Sequence, residues 1–167
     1  SGLPRVVEIF EARTPKGRAV LSPIDGKVKS INITPEGSRE ITITSDKGKP
    51  VTLIVLRRQQ IDVNLNQKIK AGDNITKGPK DPKEVLKING VRTCQEYLVE
   101  QVQNTYREQG VEVHDKHVEM IVRQMMRRVR IVRTNDSDYL PNELVDLTLF
   151  KFTNQELVKK GKVPAEG

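Results

Sequence analysis

The chain has little that usually marks chemistry. It holds one cysteine, two histidines and no tryptophan, and aromatics make up 4% of its 167 residues. A single cysteine, Cys94, excludes an internal disulfide and a cysteine-based zinc site, and it fits a reducing compartment. Its helical surroundings make it a small core residue. The few aromatics (Phe10, Tyr97, Tyr106, Tyr139, Phe150 and Phe152) are too scattered to form a stacking platform for single strands. No apolar run approaches the ~20 residues that cross a bilayer, and no secretory leader opens the chain, so a cytoplasmic protein is expected. No serine sits in a strand–turn–helix elbow, and no glycine-rich loop has phosphate-loop spacing. These gaps argue against stand-alone catalysis.

The chain does have charge and pattern. Lysine and arginine total 29 against 22 acidic residues, a net charge of +7. That sign favours polyanions, nucleic acid being the commonest; a merely basic, solvated surface is the alternative. Apolar residues make up 35%, so a core must rest on Val, Ile and Leu. The chain starts with Ser and ends abruptly at "KVPAEG", as an excised piece would.

"LPRVVEIFEAR" (3–13) reads as a helix with proline in its first turn. From Arg18 to Leu56 the pattern is β: short Val/Ile/Thr-rich runs separated by turn signals at Asp25-Gly26, Pro35–Gly37 and Asp46–Gly48. A further short strand is expected near Gln60–Val63, and 69–82 is a Gly/Pro-rich turn region. Asp81-Pro82 signals the cap and first turn of a helix. Val91, Cys94, Leu98, Val102 and Thr105 fall at helical spacing, with Thr93 and Glu96 in capping-box register and Gly110 as the stop. Further on, Arg130–Arg133 and "LVDLTLFKF" (144–152) read as strands. Thr153 to Lys160 reads as a last helix, with Thr153 and Glu156 in capping-box spacing and Gly161 ending it. The fold class is α+β: a small β sandwich or barrel-like module, a helical segment, and a short β/helix C-terminal part.

"VEVHDKHVEMIVRQMMRRVRI" (111–131) carries both histidines. A zinc helix places two histidines four apart with a glutamate between, whereas His114 and His117 are three apart and no third ligand is marked out. A helix capped by Asp115 accounts for more: Val118, Ile121, Val122, Met125 and Val129 form one stripe, and the late Arg127, Arg128 and Arg130 suit the helix dipole. No metal site is assigned.

Four stretches, "GLPRVVEIFEAR" (2–13), "SPIDGKV" (22–28), "QGVEVHDKHVEMIVRQMM" (109–126) and "YLPNELVD" (139–146), taken together and in this order, resemble the beta-prime subunit of bacterial multisubunit RNA polymerase, whose plastid and cyanobacterial versions carry the same segment. The resemblance implies a fragment of that subunit, in four parts. Residues 1–17 are the C-terminal arm of the trigger loop with its linker. Residues 18–80 are the β-rich jaw, 81–131 a helical scaffold, and 132–167 a loop, strand and terminal helix.

It further implies that Gly2, Leu3, Pro4, Arg5, Val6, Ile9 and Phe10 belong to the trigger-loop arm or its base, Gly2 and Pro4 forming a hinge. In the jaw, lysines and arginines hold downstream duplex DNA without regard to sequence. The candidates are Arg13, Lys16, Arg18, Arg57 and Arg58, chosen for clustering near loops. His114, His117, Arg123, Arg127 and Arg128 are expected to face neighbouring subunits. The implied partners are the beta, alpha, omega and sigma subunits, downstream duplex DNA and regulatory proteins docking on the jaw, with no membrane, in the bacterial cytoplasm and nucleoid or the plastid stroma. The Asp-rich magnesium motif is not among these residues. Mg2+, and in some enzymes Zn2+, therefore belongs elsewhere in the parent enzyme. The chain alone is expected to be inactive, with no cofactor of its own. A free-standing basic nucleic-acid-binding or assembly module and a histidine-based metalloenzyme are the rival readings.

Overall fold

A computed structural model describes residues 2–167. The chain forms two compact units, residues 1–113 and 114–167. Both mix helices and strands, as the α+β reading expects.

Unit one opens with helix α1 (Leu3–Phe10). It is shorter than the expected 3–13, because Ala12 takes a left-handed backbone (φ 50°) that ends the turn. Gly2 precedes α1 at φ 70°, which glycine tolerates without cost, and Pro4 sits in the first turn. Val6 and Ile9 are buried and Arg5 pairs with Glu8, while Leu3 stays exposed.

Four antiparallel strands follow: β1 (Gly26–Ile33), β2 (Arg39–Thr44), β3 (Val51–Val55) and β4 (Lys68–Ile69), in the order β3-β2-β1-β4. The sheet curls into a half-barrel. Its inner face carries Val28, Ile41, Ile43, Val55 and Ile69, which pack with Val63 and Ile75 from the following loops. The alternation of β2, and of β1 on either side of a bulge between Val28 and Ser30, puts these residues inside. The expected strand near 60–63 is reduced to a single bridge, Ile61 with Thr76, and the one at 18–22 to a bridge between Leu21 and Asn74. Asp25-Gly26 is not a hairpin turn. Gly26 already belongs to β1, and a Cβ there would lie 2.3 Å from the Thr44 carbonyl oxygen. Close strand approach, not turn geometry, requires this glycine.

Helix α2 (Pro82–Asn89) starts as expected: Asp81 Oδ1 accepts the Lys83 N–H at 3.0 Å. Helix α3 (Val91–Glu108) buries Cys94, Leu98, Val102 and Thr105. It begins after Gly90, two residues before Thr93, so the expected Thr93/Glu96 capping box does not form. Gly110, at φ 71°, lies two residues past its end.

Unit two holds α4 (Asp115–Met125), β5 (Arg128–Arg130), β6 (Leu144–Asp146) and α5 (Leu147–Lys159). β5 and β6 pair antiparallel, and Arg133 bridges to Glu166. Several expectations are corrected here. The cap of α4 is His114, whose Nδ1 accepts the Lys116 N–H at 3.1 Å, and Asp115 is the first helical residue. The alternating run 144–152 is a strand only to Asp146. The Asp146 carboxylate then accepts the N–H groups of Thr148 and Leu149 and starts α5, leaving Thr153 and Glu156 inside the helix. The strand expected at Arg130–Arg133 lies two residues earlier. Of the expected α4 stripe, Val118 and Val122 are buried, Ile121 is 46% exposed, and Val129 has passed into β5.

Candidate nucleic-acid interface

The five basic candidates of unit one fall into two groups. Arg13, Lys16 and Arg18 lie on the loop that follows α1, and all are exposed. Arg13 pairs with Glu11. Arg18 stands 3.6 Å from the buried Asp81 carboxylate, which also accepts the Thr14 hydroxyl at 3.3 Å while capping α2. Asp81 therefore ties the 14–18 loop to the start of α2 and partly neutralises Arg18. The Ala19 N–H donates to the Pro79 carbonyl at 2.9 Å, closing the same junction. At Gly78 a Cβ would meet the Gly17 carbonyl oxygen at 2.3 Å. Of this group, Lys16 alone has neither an ion pair nor a side-chain hydrogen bond among the described residues.

Arg57 and Arg58 occupy the two central positions of the turn after β3, closed by Gln59 N–H to Leu56 O at 2.9 Å. Arg39, at the start of β2, donates to the carbonyls of Leu56 and Gln59 and braces this turn from below. Its guanidinium is thereby committed, while Arg57 and Arg58 have no ion pair among the described residues. No sequence signal marked Arg39, because strand position alone does not show which carbonyls a side chain meets.

A cleft opens between the β3 edge and α2, lined by Arg18, Leu53, Ile54, Leu56, Glu84 and Lys87. One Glu84 carboxylate oxygen is buried there without a hydrogen-bond partner.

The trigger-loop candidates divide by burial. Val6 and Ile9 face α3, and the Arg5 guanidinium donates to Gln101 Oε1 at 3.4 Å. Leu3 and Pro4 stay exposed, and Phe10 is half-buried. Tyr97 of α3 has its hydroxyl between the Lys80 N–H, which donates to it, and the Lys80 carbonyl, which accepts from it. Burial raises its pKa. Cys94 is 1% exposed, and burial, with the Asp81 charge, pushes its thiol up to about 11. It is a packed core residue.

In unit two, His114 and His117 are exposed, with ring centroids 6.1 Å apart in an edge-on arrangement. With Nδ1 of His114 engaged as the helix cap, the pair does not converge on a common point. Among the described residues no three His, Cys, Asp or Glu side chains come together to hold a metal. Arg123 lies in the last turn of α4, whereas Arg127 and Arg128 lie beyond it and cannot serve the dipole as expected. Arg127 stands 3.6 Å from Asp146. The Asp146 carboxyl is held below the usual carboxylate range by the Thr148 and Leu149 N–H groups, and then by Arg127. Among the described residues no helix is long and apolar enough to cross a membrane.

The chain is thus an α+β segment whose half-barrel presents basic loops and whose helices present charged faces. By sequence it belongs to the family described as RNA polymerase Rpb1, domain 5, which matches residues 15–157. It is similar to the subunit named DNA-directed RNA polymerase subunit beta' in several bacteria. Identity is 46% with that of Lysinibacillus sphaericus over 98% of this chain, and 43% with that of Paenarthrobacter aurescens over 99%. It is also 46% with that of Kineococcus radiotolerans over 99%. In each case the chain spans 13% of the relative's length, so it corresponds to a fragment of such a subunit.

Proposed function

We propose that this segment serves DNA-directed RNA synthesis as a non-catalytic part of a beta-prime subunit, with two tasks. The half-barrel, as the jaw of residues 18–80, holds downstream duplex DNA by charge. Helix α1, as the C-terminal arm of the trigger loop within residues 1–17, folds back on the α3 scaffold when that loop closes over a nucleotide. Residues 81–131 are the scaffold and 132–167 the terminal part. The observation that carries the first task is the free projection of Arg57 and Arg58 from a braced turn in a family member of charge +7. Sequence-independent holding needs phosphate contacts and nothing more. The second task is supported by Gly2 at positive φ beside Pro4, a point where the chain can swing.

The partners proposed are the other polymerase subunits (beta, alpha, omega and sigma), downstream DNA, and regulators of the jaw. His114, His117, Arg123, Arg127 and Arg128 offer an exposed surface of imidazoles and guanidiniums for such contacts. The magnesium-dependent step, and any zinc, belongs to other parts of the parent enzyme. The setting proposed is the bacterial cytoplasm and nucleoid, or the plastid stroma.

Titration of mixed-sequence duplexes with the chain tests this reading. Binding is expected to be weak, equal across sequences, and steeply weakened by salt. Nucleotide incorporation by the chain alone, or sequence-selective binding, would overturn it.

A further inference from the structure

The outer face of the half-barrel carries a feature that the loop arginines do not explain. Lys27 of β1 and Lys68 of β4 are direct cross-strand partners, and both are exposed. Like charges placed opposite one another destabilise a sheet. Lys29, in the β1 bulge between Val28 and Ser30, is exposed as well, and Lys47 and Lys49 stand on the β2–β3 turn at the same end of the sheet. Among the described residues none of these five lysines has a carboxylate within 4.0 Å. Two acids near the β1 and β4 ends are committed to the backbone: Asp25 Oδ1 accepts the Ala71 N–H at 2.7 Å, and Asp73 Oδ2 accepts the Lys70 N–H at 2.9 Å. Asp46, on the same turn as Lys47, is exposed, as are Asp25 and Asp73, and none of the three forms an ion pair with these lysines.

The rest of this face continues the pattern. Lys27 is opposite Thr44, and the next row is Ser30, Thr42 and Thr52, with the two threonine hydroxyls 3.3 Å apart. The acidic residue of the face, Glu40, lies in the row of Asn32 and Ile54 toward the other end. Lysine ammoniums followed by a row of hydroxyls are the donors that phosphate oxygens accept, and this face carries no aromatic to stack an unpaired base.

We infer that the outer β1–β4 face, centred on Lys27, Lys29 and Lys68, is a contact surface for the phosphate backbone of duplex nucleic acid. This rests on the duplex-holding reading above and names the surface that performs it. The unrelieved Lys27–Lys68 repulsion is a cost in the free chain that a polyanion removes. Lysine suits the role, because a point charge on a flexible stem follows a backbone without reading bases.

The test is a salt titration of mixed-sequence duplex binding by the full chain, by a Lys27→Gln/Lys29→Gln/Lys68→Gln variant, and by an Arg57→Gln/Arg58→Gln variant. The lysine variant is expected to lose about 3 from the slope of log affinity against log salt, and at least about ten-fold in low-salt affinity. Its thermal midpoint should be unchanged or higher, because a repulsion has been removed. An unchanged slope in the lysine variant, with the loss confined to the arginine variant, would overturn this surface and leave the duplex-holding reading standing. No salt-dependent duplex binding by the unaltered chain would overturn both. Binding of polyglutamate as tight as that of duplex DNA would assign the face to an acidic protein and overturn the nucleic-acid assignment.

Discussion

At the scale of single residues, Asp81 does the most work. One buried carboxylate caps α2, accepts the Thr14 hydroxyl and faces Arg18. Asp81→Ala is expected to lower stability by about 1–3 kcal/mol in chemical denaturation, since it removes a cap and orphans buried partners. Asp81→Asn keeps the cap and should lose less. Half of this was legible: Asp-Pro marks a helix start, but no spacing rule links residue 81 to residue 14. Cys94 gives a second expectation. With its thiol raised to about 11, it should resist alkylation at mildly alkaline pH in the folded chain and react once denaturant is added. As pH climbs past the ordinary thiol value of 9.0, the unfolded chain ionises and the fold does not, so stability falls there.

At the scale of elements, the β strands were the most readable part, because alternation over β2, and over β1 on either side of its bulge, fixes which residues face the core. Gly26 is the exception. Its turn-like dipeptide hides a close strand contact, so Gly26→Ala is expected to cost about 2 kcal/mol or more, measured by thermal unfolding. The helix ends were read less well. His114 took the cap expected of Asp115, and the run 144–152 alternates convincingly yet turns helical at Leu147. There the Asp146 carboxylate meets two N–H groups, a local bond that side-chain periodicity does not register. Because those bonds lower its pKa, the Asp146 contribution is full above the usual carboxylate range and is lost as pH falls through the depressed value. Acid should therefore loosen the start of α5. Asp146→Asn, which keeps a capping oxygen, should flatten that dependence in helicity measured against pH.

At the scale of the molecule, the family was legible because four motifs occur in a fixed order. The proposed basic interface was legible only in outline. Loop arginines draw attention in a sequence, whereas the Lys27–Lys68 pairing depends on β1 and β4 being neighbours, two strands separated by β2 and β3 in the chain. The central claim is that this segment holds downstream duplex without taking part in the chemistry. The most direct test uses the assembled polymerase with Lys27, Lys29, Lys68, Arg57 and Arg58 all changed to Gln. One measures the lifetime of halted elongation complexes against salt, on templates with long downstream duplex and on templates cut short ahead of the active centre. The account predicts shorter lifetimes and a shallower salt dependence on the long templates, with no change on the short ones and an unaltered rate of nucleotide addition. Equal lifetimes on both templates, or a fall in the addition rate with the complexes intact, would contradict it.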